Sequence, residues 1–209
     1  MKLYFAKGAC SLAVRITINE LGIKCDFESV DIHKTKKTET GKDFLKVNPK
    51  AYVPVLELDD GKILTENVAI QIYLAENFDG EKLLPKAPNF TRYQVIEWLS
   101  YITTELHKTA GALFNHAMPQ ELKDTLFVPM LKKKLKFVDE YLKNKDFLVD
   151  RFTVADAYLF VVLSWIPYFK IDLSEWNNVN RYYMNLHKRP SVQKALQAEN
   201  LLKTEKGTA

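Results

Sequence analysis

Val53-Pro54-Val55-Leu56-Glu57-Leu58 runs into Asp59-Asp60-Gly61-Lys62 and then into Ile63-Leu64-Thr65-Glu66-Asn67. Val55, Leu56 and Leu58 make a short apolar run, Asp59 to Lys62 carries turn chemistry, and Ile63-Leu64 opens a second run, so the segment predicts a β-hairpin. Pro54 stands at the start of the first strand, where a missing N–H is tolerated. The Val53–Pro54 bond is either trans, as in an ordinary hairpin, or cis, which X-Pro bonds reach at modest cost. In the cis form the Val53 N–H and C=O turn outward as an edge that can pair with a short peptide. At the far end Thr65-Glu66-Asn67 begins a helix whose free N–H groups favour a carboxylate.

Upstream of the hairpin, Lys2 to Ala6 holds the β-type run Leu3-Tyr4-Phe5, Lys7-Gly8-Ala9 reads as a turn, and Val14, Ile18 and Leu21 repeat at helical spacing up to Gly22. Asp26 to Asp31 alternates polar and apolar residues, which makes residues 2 to 31 a βαβ unit. His33 to Lys42 is polar and without period, an exposed loop, and Asp43 to Val47 forms a short helix that must end before Asn48-Pro49. Downstream, Val68, Ile72 and Ala75 continue a helix to Asn77. Strand, helix, strand, then two strands and a helix within about 80 residues is a thioredoxin-like layout.

The rest is helical. Gly80, Pro85 and Pro88 mark a linker, so residues 1–80 form the α/β domain, 81–90 the linker and 91–209 an all-α domain. Val95, Leu99, Ile102 and Leu106 stripe one helix, and Leu131, Leu135, Val138 and Leu142 another, with Lys132-Lys133-Lys134 and Lys136 as a solvated flank. Val154 to Phe169 is apolar nearly all round and belongs at the centre of the domain. Thr153 and Asp156 form a variant capping box at its start, and Pro167 ends or kinks it. Asn178 to Lys188 and Ser191 to Glu199 add two short helices, and Thr204 to Ala209 reads as a frayed tail.

Composition narrows the function classes. The 209 residues carry a net charge of +4 from 30 basic and 26 acidic side chains, too mild an excess to argue nucleic acid. No stretch approaches the roughly 20 apolar residues of a membrane span, and Met1-Lys2-Leu3-Tyr4-Phe5 meets polar residues directly, so a cytoplasmic protein without membrane contact is expected. The two cysteines, Cys10 and Cys25, form no metal spacing or C-x-x-C pair, and both are expected as free thiols. Cys10 stands at a helix start, where the dipole lowers a thiol pKa; Cys25 reads as packing.

This organisation resembles the cytosolic glutathione transferases, and in detail the bacterial beta class. The likeness rests on Gly8-Ala9-Cys10-Ser11, Asn48-Pro49-Lys50, Val53-Pro54, Leu64-Thr65-Glu66-Asn67, Glu97-Trp98-Leu99, Thr104-Glu105-Leu106-His107-Lys108 and Arg151-Phe152-Thr153-Val154-Ala155-Asp156, in order along nearly the whole chain. The resemblance implies that Cys10 lies beside the glutathione sulfur and that His107 faces the same cleft, donating a hydrogen bond to the glutathione thiolate. It implies that the Val53 backbone pairs with the cysteinyl segment and that Glu66 and Asn67 take the γ-glutamyl end. Lys36, or Lys34 or Lys37 in a loop one residue longer than the family pattern, takes the glycyl carboxylate. Ser100, Thr104 and Glu105 match positions that reach the glutathione of a neighbouring subunit, implying a homodimer; Leu106 and Lys108 belong to the same set of glutathione contacts. Three positions depart from the family: Ser100 replaces a frequent asparagine, Phe5 a tyrosine and Lys7 a proline.

The expected function is therefore that of a glutathione transferase, with glutathione as co-substrate and no other cofactor or metal. It activates the glutathione thiol against small electrophiles, with peroxidase or thiol-transferase side activity. Phe114, His116, Tyr158 and Trp165 are candidates for the electrophile pocket, and His33 reads as incidental. The alternatives are a disulfide reductase working through a Cys10 mixed disulfide, and a binding or regulatory module on the same fold.

Overall fold

The computed structural model describes residues 1–202, so the expected tail at Thr204 to Ala209 lies outside the described residues. Strands β1 (Lys2–Phe5), β2 (Asp26–Ser29), β3 (Val55–Glu57) and β4 (Ile63–Thr65) form a sheet in the order β2-β1-β3-β4. β1 runs parallel to β2 and antiparallel to β3, and β3 pairs antiparallel with β4. The hairpin closes as its turn residues require: Leu58 N–H donates to Lys62 O at 2.9 Å, and Gly61 takes a φ of 81°, a conformation that side chains disfavour.

Helices α1 (Ser11–Leu21) and α2 (Asn67–Asn77) cover one face of the sheet. Leu3 and Leu56 there meet Val14 and Ile18 of α1 and Ile70 and Leu74 of α2. On the other face Tyr4, Val30, Val53 and Val55 pack with Phe44, which a 3-10 turn, Phe44–Lys46, carries inward. The second strand is shorter than its alternation predicts. Val30 makes only an isolated bridge to Thr38, and Asp31 turns the chain by accepting the N–H groups of His33, Lys34 and Thr35.

The connecting segment is pinned rather than loose. Leu83 and Leu84 are buried in the helical core, and Val154 N–H donates to Leu83 O at 3.2 Å. Beyond it come α3 (Phe90–Tyr101), a π-helical stretch (Ile102–His107) and α4 (Lys108–Leu113) in one continuous run. Then follow α5 (Gln120–Leu122), a second π stretch (Lys123–Phe127) and α6 (Val128–Tyr141). The α5 region lacks a buried stripe, with Leu122 and Leu126 exposed, and so gives no periodic signal.

Helix α7 (Val154–Ser164) has every residue from Val154 to Leu163 buried, as its all-round apolar sequence demands. It stops earlier than Phe169: a 3-10 turn, Ile166–Phe169, takes over, because Pro167 has no N–H for the ladder and its ring clashes with the preceding turn. At its start Asp156 accepts from Thr153 N–H and O–H, Leu148 N–H and Tyr182 O–H, at 2.7 to 2.9 Å. The last helices among the described residues are α8 (Asn177–His187) and α9 (Pro190–Ala198), and α9 lies against α1 of the first half.

Candidate functional site

The seam between the sheet half and the helical half opens into a cleft of about 1790 Å³. That is beyond the usual range for a drug-sized ligand. Its floor on the sheet side is built by three segments that the sequence placed far apart: the loop before α1, the hairpin entry and the start of α2. Cys10 Sγ donates to Val53 O at 3.3 Å, and Asn67 Nδ2 donates to Cys10 O at 2.7 Å, so the three are bound to one another. The Val53–Pro54 bond is cis. The Val53 carbonyl is thus engaged by the thiol, while its N–H has no partner among the described residues.

Cys10 does not behave as the helix-start argument predicts. Burial pushes its thiol up to about 12, outweighing the main-chain N–H groups of Cys10 and Ser11 and the Asn67 amide that pull the other way. The Cys10 side chain is a thiol that donates, not a poised thiolate.

The helical wall faces it with His107, Tyr158 and Trp165, all lining the same cleft. His107 closes the π stretch that begins at Ile102. A π turn stacks residue i over residue i+5, so His107 is drawn toward the buried face of Ile102, whereas a plain α-helix leaves it off that stripe. Thr103, Thr104 and Thr109 each bond the carbonyl four residues back, the side-chain back-bonding that bends helices. His107 Nδ1 lies 2.5 Å from the Tyr158 hydroxyl, and its ring meets that of Trp165 edge-on, with centres 4.9 Å apart. Burial, then the Lys108 ammonium, holds the imidazole down to about 4, so it is neutral across the physiological range. Burial pushes the Tyr158 phenol up, so it keeps its proton.

The remaining expected contacts divide by position. Glu66, at φ 72° and ψ 124°, holds a conformation rarely adopted by side-chain-bearing residues and projects its exposed carboxylate at the cleft mouth. Such backbone strain costs on the order of 1–3 kcal/mol and clusters at ligand sites. Lys50 Nζ reaches Thr65 Oγ1 at 2.8 Å and Glu66 Oε1 at 2.5 Å. The Asn67 side chain is committed to Cys10 and Gln71, which leaves its main chain for a ligand.

Lys36 turns its ammonium onto the Ile32 carbonyl beside the cleft, and Lys34 and Lys37 are exposed. His33, read as incidental, lines the cleft with Ile32 because Asp31 folds the loop back. Lys108 lines the cleft, but Leu106 is fully enclosed in the helical core and offers a ligand no side-chain surface. Ser100 and Thr104 are exposed and lie away from this cleft, and Glu105 pairs with Lys134 at 2.6 Å. Phe114, His116, Tyr158 and Trp165 all line the cleft, joined by Tyr168. Lys50 lines the cleft without having been singled out, though it stands directly after Asn48-Pro49; Tyr158 was read only as pocket lining, since nothing local links it to His107.

Residues 5–82 match the model of the glutathione S-transferase N-terminal domain, and residues 98–190 that of the C-terminal domain. The chain belongs to the glutathione S-transferase family. Glutathione S-transferase GstA of Escherichia coli O157:H7 is 46% identical over 202 residues, covering 96% of this chain and all of the relative. Among solved structures, the ternary complex of BphK, a bacterial glutathione S-transferase, superposes with a TM-score of 0.92 at 43% identity, over 96% of this chain and 100% of that one. The bacterial beta-class glutathione S-transferase of Sphingomonas chungbukensis gives a TM-score of 0.92 at 41% identity, over 97% and 100%. Within this glutathione S-transferase, the cleft between the thioredoxin-like half and the helical half is where the two matched domains meet.

Proposed function

We propose that this glutathione transferase holds the tripeptide with its sulfur between Cys10 and His107 and activates that thiol for attack on small electrophilic, xenobiotic-type compounds. The observation that carries the reading is the position of Cys10 and His107 on the two walls of one cleft, which Val53 also lines with an N–H that has no partner among the described residues. A sphingomonad glutathione S-transferase structure, 38% identical with a TM-score of 0.91, is described as complexed with glutathione, which supports tripeptide occupancy here.

The roles follow from charge and protonation. His107 is too weak a base to take the thiol proton at neutral pH; it serves as a neutral donor to the sulfur anion. With the Tyr158 O–H donating to Nδ1, the hydrogen sits on Nε2, free for the sulfur. Val53 N–H pairs with the cysteinyl carbonyl. Glu66 receives the γ-glutamyl ammonium, the α2 N-terminus its carboxylate, and Lys36 or Lys50 the glycyl carboxylate. The electrophile lies against Phe114, Trp165 and Tyr168.

Ser100, Thr104 and Glu105 do not line this subunit's cleft; in this reading they meet glutathione in the second copy of a homodimer. The division into residues 1–80, 81–90 and 91–209, a cytoplasmic location and a detoxification role complete the reading. Replacing Cys10 by Ala tests it: glutathione conjugation to a small aromatic electrophile survives while disulfide exchange is lost. Loss of both would move the chemistry onto Cys10 and favour the mixed-disulfide reductase.

A further inference from the structure

Gly8 lies two residues before Cys10, and both polar groups of its main chain are held by the helical half of the molecule. Its N–H donates to Glu199 Oε2 at 2.9 Å, and its C=O accepts from Trp165 Nε1 at 2.8 Å. The groups beside it are satisfied within the loop, Ala9 N–H on Ala6 O and Ala6 N–H on Ser11 Oγ. Glu199 follows α9, its side chain has no exposed surface, and its second oxygen accepts from Arg15 Nε at 2.9 Å. Arg15 is gripped by the sheet: its guanidinium carbon lies 4.4 Å from the centre of the Phe5 ring and 3.7 Å from that of Phe27. An unbroken series of contacts therefore runs from β1 and β2 through Arg15 and Glu199 to the loop that carries Cys10.

An enclosed ion pair costs several kcal/mol of desolvation per ion, and an apolar pair of similar volume is often at least as stable. Stability alone does not call for charge here. What a carboxylate adds is two acceptor oxygens in one rigid group, so that an arginine fixed by the sheet fixes the place of the oxygen that takes the Gly8 N–H. Gly8 has a φ of 69°, a conformation open to glycine and reached from several loop geometries, so an external anchor is what selects one.

We infer that Glu199 is a positioning residue for Cys10: the Arg15–Glu199 pair anchors the Gly8 N–H and thereby sets where Cys10 stands relative to Val53 and His107. The inference rests on the reading in which Cys10 and His107 flank the glutathione sulfur.

Two full-length double variants isolate the anchor, because both remove the ion pair and leave no unpaired charge. R15M/E199Q keeps an acceptor for Gly8, and R15M/E199L has none. The readouts are kcat and KM for glutathione in glutathione–disulfide exchange, the reaction that depends on Cys10, and the rate of Cys10 modification by iodoacetamide followed by peptide mass mapping. R15M/E199L is expected to lose about tenfold in kcat with KM for glutathione within about twofold, and to be modified at Cys10 about fivefold faster; R15M/E199Q stays within about threefold of the parent on both. Equal behaviour of the two doubles overturns the proposal. If R15M/E199L does not fold, E199D decides: it keeps the charge but withdraws the carboxylate by one methylene, and an unchanged Cys10 modification rate overturns the anchor. Modification needs no turnover, so absence of that exchange in the parent would sink the catalytic reading of Cys10 while the Cys10 comparison still judges Glu199.

Discussion

The His107 imidazole and the Tyr158 phenol stand nearly perpendicular, at 88°, with Nδ1 2.5 Å from the phenolic oxygen. On the proposed reading the phenol donates to Nδ1, which puts the imidazole hydrogen on Nε2, so that Tyr158 acts on the sulfur through His107. Tyr158→Phe removes that bond without changing ring volume. A net hydrogen bond is worth about 0.5–1.5 kcal/mol, which corresponds to a kcat lower by roughly 2- to 12-fold, with KM for glutathione little changed. Steady-state kinetics at saturating electrophile measure it; a Y158F enzyme with parental kcat would exclude the phenol from the mechanism.

Cys10 is half-buried in the cleft wall, and its modification in the free protein should follow a desolvated thiol rather than a helix-tip thiolate. With the group pushed up to about 12, the iodoacetamide rate rises about tenfold per pH unit from 7 to 10 and reaches no plateau. A plateau below pH 8 would show instead that the helix start overrides burial.

His107 also predicts a pH dependence of stability. Its folded value, about 4, lies below the ordinary 6.5, so on acidification the unfolded chain takes the proton first. Its contribution is full above pH 6.5 and is lost as pH falls toward 4, by as much as about 3 kcal/mol. Glu28 acts lower: burial alone would raise it, but the Thr40 hydroxyl and the Lys2 ammonium hold it at about 2, so its loss begins below 4.5. Urea unfolding at pH 7 and pH 4.5 should show the parent losing about 2 kcal/mol more than His107→Asn. Parallel losses would mean that His107 is not desolvated.

Asp156→Ala leaves the N–H groups of Leu148 and Thr153 and the Tyr182 hydroxyl without their acceptor at the start of the central helix. Leaving a buried donor without its acceptor costs about 1–3 kcal/mol, so losing several at once should cost about 3 kcal/mol or more. Denaturant midpoints should fall accordingly, while KM for glutathione in the folded fraction is unchanged. A loss under 1 kcal/mol would show that water replaces the carboxylate.

Much of the fold was legible because local chemistry and packing agree there. Gly61 in the hairpin turn, Gly22 at the end of α1 and the unbroken apolar run from Leu159 to Leu163 each read the same from sequence and structure. The site was legible at Cys10 and Glu66, which sit at helix starts marked by their neighbours. It was not legible where side chains answer to distant partners. No periodicity says that Tyr158 meets His107, that Glu199 reaches Gly8 across 191 residues, or that a thiol at a helix tip is enclosed enough to stay protonated. The family resemblance set His107 at the cleft, but the wider turn of the π stretch that carries it there has no mark in the residues themselves.

That wider turn has a dynamic consequence. The π stretch from Ile102 to His107 interrupts the regular four-residue ladder of the α segments on either side of it. Backbone amides there should exchange with deuterated solvent ahead of their neighbours in α3 and α4. The imidazole thus stands at the point where an otherwise continuous rod breathes most readily, and a bound tripeptide would quieten that breathing from the side chain inward.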